Sequence, residues 1–258
     1  MARLLDFFVL PLRFVICWTY LGLISACFFP VFLVLLPSRR RRILASNVYG
    51  QLTGRVMIFL SGAKLPPGIR AQLARTQPAI FISNHTSYLD IYFGIWAAPT
   101  GTLATAKRET AFVPFLGQLY ALSGNVLINR TNKRDAAAAL RETIDLMQRF
   151  RTSVWIWPEG TRSFDGRLLA FKRGFAHLAL ATRLPVVPIV VSNAHRCWPR
   201  GRAYTRPAAV SVRILPPIPT TDWTVENLDR HVADVHAQFA AALPSDQKPR
   251  TVSAESPQ

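Results

Sequence analysis

The segment Ser83-Asn84-His85-Thr86-Ser87-Tyr88-Leu89-Asp90 holds a histidine and an aspartate five residues apart, directly after a short apolar run. On one straight helix that spacing would set them ~140° apart, at ~3.6 residues per turn. They meet if His85 stands in a loop and Asp90 in the first turn of the following helix, with Ser87 as its cap. An imidazole held by a carboxylate is a general base, because the carboxylate sets the tautomer and stabilises the imidazolium. A substrate hydroxyl can then be the nucleophile, so no serine or cysteine is required. The competing reading is a histidine that merely caps a helix, and the pair alone leaves both open.

Three further segments suit phosphate. In Trp157-Pro158-Glu159-Gly160-Thr161-Arg162-Ser163, Gly160 frees the backbone to approach a ligand and Arg162 can grip a phosphate bidentately. Gly124-Asn125-Val126-Leu127-Ile128-Asn129-Arg130 projects Arg130 from the end of a strand, and Ala106-Lys107-Arg108-Glu109 offers Lys107 as a compact point charge. Each by itself also reads as an ordinary turn or a solvated cation. Phe171-Lys172-Arg173-Gly174 either adds charge beside the phosphate loop or simply starts a helix. The aromatic and basic stretch from Arg196 to Arg202 suits lipid headgroups or donor phosphates, or is a solvated loop. His177, His195, His231 and His236 are scattered without zinc-like spacing, so no metal is expected.

The elements that must position these residues follow from the alternation of apolar runs and helical patterns. Strands are predicted at 79–83, 103–106, 125–128, 153–157, 186–191 and 210–215. Helices are predicted at 111–122, at 135–150 with Asp135 as cap, at 172–181 and at 222–243. This is an α/β pattern: a mostly parallel sheet flanked by helices, with loops at the carboxyl ends of strands carrying the chemistry. Residues 244–258 read as a loose polar tail.

Ahead of that body, residues 14–36 form an uncharged run of 23 residues. As a helix it would be about 34 Å long at ~1.5 Å per residue, enough to cross a ~30 Å hydrocarbon core. Arg13 precedes it and Arg39-Arg40-Arg41-Arg42 follow, so a spanning helix would leave its carboxyl end in the cytoplasm. Gly22 and Pro30 interrupt it, so a bent, half-inserted helix with both ends cytoplasmic is the alternative. The residues after Ile24-Ser25-Ala26-Cys27 stay apolar, which argues against a cleaved signal. Residues 43–60 carry Leu44, Val48, Leu52, Val56 and Phe59 at helical spacing and predict an amphipathic helix. Residues 1–65 thus form a membrane-attachment module, and Pro66-Pro67-Gly68 opens an α/β domain over 66–243.

Composition agrees with this division. Of 258 residues half are hydrophobic and 17% charged, against about 25% charged in ordinary soluble domains, which excludes bulk disorder. Thirty-one Lys and Arg against fourteen Asp and Glu give a net charge of +17. A greasy, basic chain suits an anionic membrane surface better than nucleic acid, which would need no long apolar run. Cys17, Cys27 and Cys197 cannot form a paired framework.

Taken in order, NHTSYLD, GNVLINR, WPEGTRS and VPIVVSN resemble the glycerolipid acyltransferase family, and above all its lysophosphatidic acid acyltransferases. The resemblance covers roughly residues 79–193. It implies that His85 and Asp90 are the catalytic pair, and that Glu159, Gly160, Thr161 and Arg162, with Arg130 and Lys107, bind the acceptor phosphate. It implies acyl transfer from acyl-coenzyme A or acyl carrier protein to the free hydroxyl of lysophosphatidic acid, with no cofactor. The partners would be a membrane lipid acceptor, the acyl donor and an anionic membrane surface, with the site facing the cytoplasm of a bacterial inner membrane. Trp157 stands for the family's usual Phe and Thr110 for a usual Leu, which bears on acceptor identity. Another lyso-lipid acceptor, such as a lyso-ornithine lipid, is the alternative enzyme. A non-catalytic membrane lipid-binding protein would lack the base.

Overall fold

The computed structural model describes residues 2–129, 131–202 and 205–250. The elements are α1 (Ala2–Val34), α2 (Arg39–Ser61), β1 (Ala63–Lys64), α3 (Ile69–Ala74), β2 (Ile80–Ser83), α4 (Leu89–Ala97), β3 (Leu103–Lys107) and a 3-10 turn (Arg108–Phe112). They continue with α5 (Leu116–Leu122), β4 (Val126–Ile128), α6 (Lys133–Phe150), β5 (Val154–Ile156), α7 (Gly174–Thr182) and β6 (Val186–Ser192). The chain closes with α8 (Ala194–Cys197), β7 (Ala208–Ala209), β8 (Ser211–Ile214), α9 (Leu228–Ala242) and a short 3-10 turn (Ser245–Gln247).

Six strands form one sheet in the order β4-β3-β5-β2-β6-β8. All its pairings are parallel except the edge strand β8, which runs antiparallel to β6. β2 is central and fully buried, and its alternation feeds both faces of the sheet. Ile80 and Ile82 join one apolar cluster with Phe175, Trp223 and Phe239. Phe81 joins the other with Phe93, Trp155 and Val191. Two-sided burial is why these strands read as continuous apolar runs. The six expected strands are all present.

The N-terminal apolar run is one helix, α1, continuous through Gly22 and Pro30. Its stretch Leu12–Val34 is long and apolar enough to cross a membrane, with only 11% of that window buried inside the molecule. A core helix would show the reverse. α1 is held by α2 and α5: Ser25 Oγ lies 2.9 Å from the Tyr49 hydroxyl, and Trp18 meets Phe115 edge-on at 6.2 Å.

The orientation of α2 is unusual for a soluble protein. Its apolar stripe (Leu44, Val48, Leu52, Phe59) is exposed, Phe59 to 80%, while Asn47, Gly50, Thr53 and Gly54 face inward. Small residues let its backbone lie directly on α4. A Cβ on Gly50 would come 3.1 Å from Ile95 Cβ, and one on Gly54 would collide with the Tyr92 carbonyl oxygen. The arginine cluster is divided between fold and surface. Arg39 Nε and Arg42 Nη1 donate to the carbonyls of Gly124 and Leu122, whereas Arg40 and Arg41 are exposed.

Several expected boundaries move for local reasons. The helix expected over 111–122 is divided, because Pro114 and a left-handed Phe115 (φ 65°) separate the 3-10 turn from α5. Asn132, not Asp135, caps α6: its Oδ1 accepts from the Arg134 and Asp135 amides, while Asp135 accepts from Asn129. α9 starts at Leu228, since Asp222 to Asn227 is a turn closed by Asn227 Nδ2 on the Asp222 carbonyl. The segment after Pro244 is not loose over its described residues. Gln247 is fully buried, its Oε1 accepting from the Asn193 amide and its carbonyl from the Leu168 amide.

Candidate active site

His85 leaves the carboxyl end of the central strand β2, and Asp90 lies in the first turn of α4. The imidazole Nδ1 donates to Asp90 Oδ2 at 3.1 Å. The same oxygen accepts from the amides of Thr86 (2.6 Å) and Ser87 (2.7 Å), so the carboxylate organises the whole loop. Both side chains are shielded, His85 11% and Asp90 1% exposed. Holding Nδ1–H on a carboxylate makes Nε2 the basic nitrogen of the neutral ring. Ser87 caps the start of α4 with its side chain, and Asp90 Oδ2 accepts from the Ser87 amide in return. Ser87 Oγ accepts from the Leu89 amide and donates to the Trp198 carbonyl at 2.6 Å.

The loop after β5 braces the histidine from the other side. Glu159 Oε1 accepts from the His85 amide at 2.7 Å, Oε2 accepts from the Leu169 amide at 3.2 Å, and the Ser163 amide donates to the His85 carbonyl. Burial pushes the Glu159 carboxyl up to about 8, the two amides opposing that shift and Asp90 reinforcing it. Glu159 belongs to the segment expected to bind phosphate. Its side chain turns into the fold and holds the His85 loop, so it is no wall of the cavity below. Gly160 makes the turn possible with φ 69°, and the Lys172 side chain packs over it. Lys172 thus lies against the loop, whereas Arg173 pairs with Asp229.

A cavity of about 470 Å³ runs from His85, Trp157 and Arg162 between α2, α4 and α5 to Phe32 and Tyr49. Gly160, Thr161 and Lys107 share its lining with His85 and Arg162, so five of the expected site residues meet at one space. Lys107 also pairs with Glu109 at 3.1 Å, both half-exposed. Arg162 lies 3.6 Å over the Tyr88 ring, and its Nη1 is buried without a hydrogen-bond partner among the described residues. Arg130 lies outside the described residues. Among those described, no group of three or more His, Cys, Asp or Glu is close enough to hold a metal.

Two lining residues carry weight that local sequence does not reveal. Trp157 stacks on His85 with ring centroids 5.0 Å apart and planes 27° apart. An indole face favours the protonated ring. Arg200 reaches the cavity from the segment after α8, a stretch whose alternation of aromatic and basic residues is the only signal in the sequence.

Comparison with known proteins bears on this geometry. The family model described as Acyltransferase matches residues 68–192. A 1-acyl-sn-glycerol-3-phosphate acyltransferase of Limnanthes alba is 39% identical over 234 residues, 91% of this chain and 83% of the relative. The chain belongs to the acyltransferase family. The Escherichia coli (strain K12) relative of the same name is 34% identical over 168 residues, 64% of this chain and 68% of its own. The crystal structure of the 1-acyl-sn-glycerophosphate (LPA) acyltransferase PlsC from Thermotoga maritima superposes with a TM-score of 0.71. It covers 91% of this chain and 94% of that one at 22% identity, and so shares the fold.

Proposed function

We propose that this acyltransferase moves a fatty acyl group from acyl-coenzyme A or acyl carrier protein to the free hydroxyl of lysophosphatidic acid, giving phosphatidic acid. The observation that carries the reading is the His85–Asp90 pair, 3.1 Å apart on the wall of a cavity that Arg162 and Lys107 also line. The relatives' shared name supports the same acceptor.

In this reading the acceptor phosphate lies on Arg162 and Lys107, with Arg130 as a further contact, and Gly160 and Thr161 shape the loop around it. That places the free hydroxyl near His85, so binding energy becomes positioning. His85 takes the hydroxyl proton on Nε2, and Asp90 with the Trp157 face stabilises the imidazolium. The oxygen attacks the thioester carbonyl, the carbon–sulfur bond breaks, and the thiolate leaves with the proton from His85. The acyl carrier is a co-substrate, and no resident cofactor is called for.

Membrane attachment through α1 and the exposed stripe of α2 is part of the proposal, because the acceptor dwells in a bilayer. The exposed Arg40 and Arg41 favour the cytoplasmic face, in a bacterial inner membrane. The test is acyl transfer from labelled acyl-coenzyme A and acyl carrier protein to lysophosphatidic acid in detergent micelles. Wild type should transfer, His85→Ala should not, and Arg162→Ala should act mainly through the acceptor KM. Undiminished transfer by His85→Ala would overturn the general-base reading.

A further inference from the structure

We propose that Arg200 is a second guanidinium contact to the phosphate monoester of the acceptor, and therefore a specificity-determining residue. The inference rests on the acceptor reading above. Arg200 stands outside residues 68–192, the part that the family model matches.

The segment that carries Arg200 is built onto the catalytic loop. Ser87 Oγ donates to the Trp198 carbonyl at 2.6 Å, and Ser87 and Pro199 form an antiparallel bridge. Trp198 stacks on Tyr92 of α4, centroids 5.6 Å apart and planes 12° apart. These contacts anchor the segment at the start of the helix that bears Asp90. From there Arg200 Nη1 donates to the Arg162 carbonyl, and its guanidinium lies 3.6 Å over the Phe164 ring. Both contacts hold the fork at the rim of the cavity that Arg162 lines.

Position and packing single out the two arginines. Both line the cavity, and each guanidinium is held over an aromatic ring. Among the described residues neither has a carboxylate oxygen within 4.0 Å. Arg162 Nη1 is in addition buried and without a hydrogen-bond partner there. Two like charges lining one cavity repel each other, and a buried N–H without an acceptor is costly. An anion bound in that cavity offsets the repulsion and supplies an acceptor. A phosphate monoester carries roughly −1.5 to −2 charge near neutral pH and three acceptor oxygens, enough for two forks and Lys107. A phosphodiester carries one charge, so the arrangement selects the monoester.

The test uses the full chain in detergent micelles, comparing wild type with Arg200→Met and Arg200→Lys, each first matched to wild type by near-UV circular dichroism. Steady-state kinetics vary lysophosphatidic acid and acyl-coenzyme A separately. Binding of glycerol 3-phosphate, the soluble headgroup probe, is measured by calorimetry without turnover. Arg200→Met is expected to raise the KM for lysophosphatidic acid and the Kd for glycerol 3-phosphate about tenfold, kcat changing far less. Preference for lysophosphatidic acid over lysophosphatidylglycerol should fall in parallel, and Arg200→Lys should recover part of each because it keeps the charge but not the fork. An unchanged Kd in Arg200→Met overturns the proposal. So does a fall in kcat alone, which would make Arg200 a brace for the Arg162 loop. A rise confined to the acyl-coenzyme A KM would assign the contact to the donor's phosphates instead and overturn it equally. Absence of wild-type transfer to lysophosphatidic acid would sink the acceptor reading, while the calorimetry still decides whether Arg200 binds a phosphate monoester.

Discussion

The indole of Trp157 is clamped between His85 and Gly94: its rings stack on the imidazole at 5.0 Å, and a Cβ on Gly94 would lie 2.9 Å from Trp157 Cζ2. The absence of a side chain at position 94 is therefore what seats the larger ring beside His85. Gly94→Ala should displace Trp157, destabilising the fold by ~1–3 kcal/mol, as overpacking does, and lowering kcat. Trp157→Phe frees the space the methyl needs, so the double variant should be more stable and more active than Gly94→Ala alone. Thermal melts and acyl-transfer rates on the four proteins of this cycle check it. Independent, additive effects would mean the two residues are not coupled.

Asp90 Oδ2 receives three donors, so Asp90→Asn should injure both chemistry and fold. An amide nitrogen at that position faces the Thr86 and Ser87 amides, which costs ~1–3 kcal/mol for an unpaired buried group. If the amide flips to keep those bonds, His85 loses its anionic partner. Loss of the base altogether in His85→Ala should cost roughly 10²–10⁴ in kcat with little change in melting temperature. The two variants thus separate by stability, measured by denaturation in micelles beside the rate assay.

Glu159 gives a pH signature. Its carboxyl is raised from 4.5 to about 8 in the folded chain, so the folded state holds a proton that the unfolded state has lost in that window. Its contribution to stability is complete below pH 4.5, falls as pH rises and is gone above about 8. Melting temperature should therefore drop across that range in wild type, and the Glu159 part of the slope should vanish in Glu159→Gln. Glu159→Gln should also weaken transfer at every pH, because one of the His85 and Leu169 amides loses its acceptor. An equally steep slope in Glu159→Gln would show that Glu159 is not the titrating group.

Gly54 sets the approach of α2 to the helix that bears Asp90. Gly54→Val should separate α2 from Tyr92 and Trp96 and cost several kcal/mol, since backbone rather than a flexible side chain blocks the added atoms. Transfer activity and melting temperature should fall together. Leu52→Val, on the exposed stripe of the same helix, should leave both near wild type. A tolerant Gly54→Val would mean that α2 and α4 do not meet backbone to backbone at Gly54.

The alternation of the body, the apolar length of α1 and the meeting of His85 with Asp90 were legible in the sequence. These are local signals: a strand buried on both faces needs a continuous apolar run, and a loop histidine meets a carboxylate one turn into the next helix. Tertiary structure alone decided which way side chains with distant partners turn. Glu159 sits within the segment expected to bind phosphate, yet its partner amide on His85 is 74 residues away, and that bond turns it inward. Arg200 and Arg162 are 38 residues apart, and no periodicity relates them. The apolar stripe of α2 was legible, but not that it faces outward. An apolar stripe reads the same whether lipid or protein covers it, and only the fit of Gly50 and Gly54 against α4 assigns the opposite face to the protein.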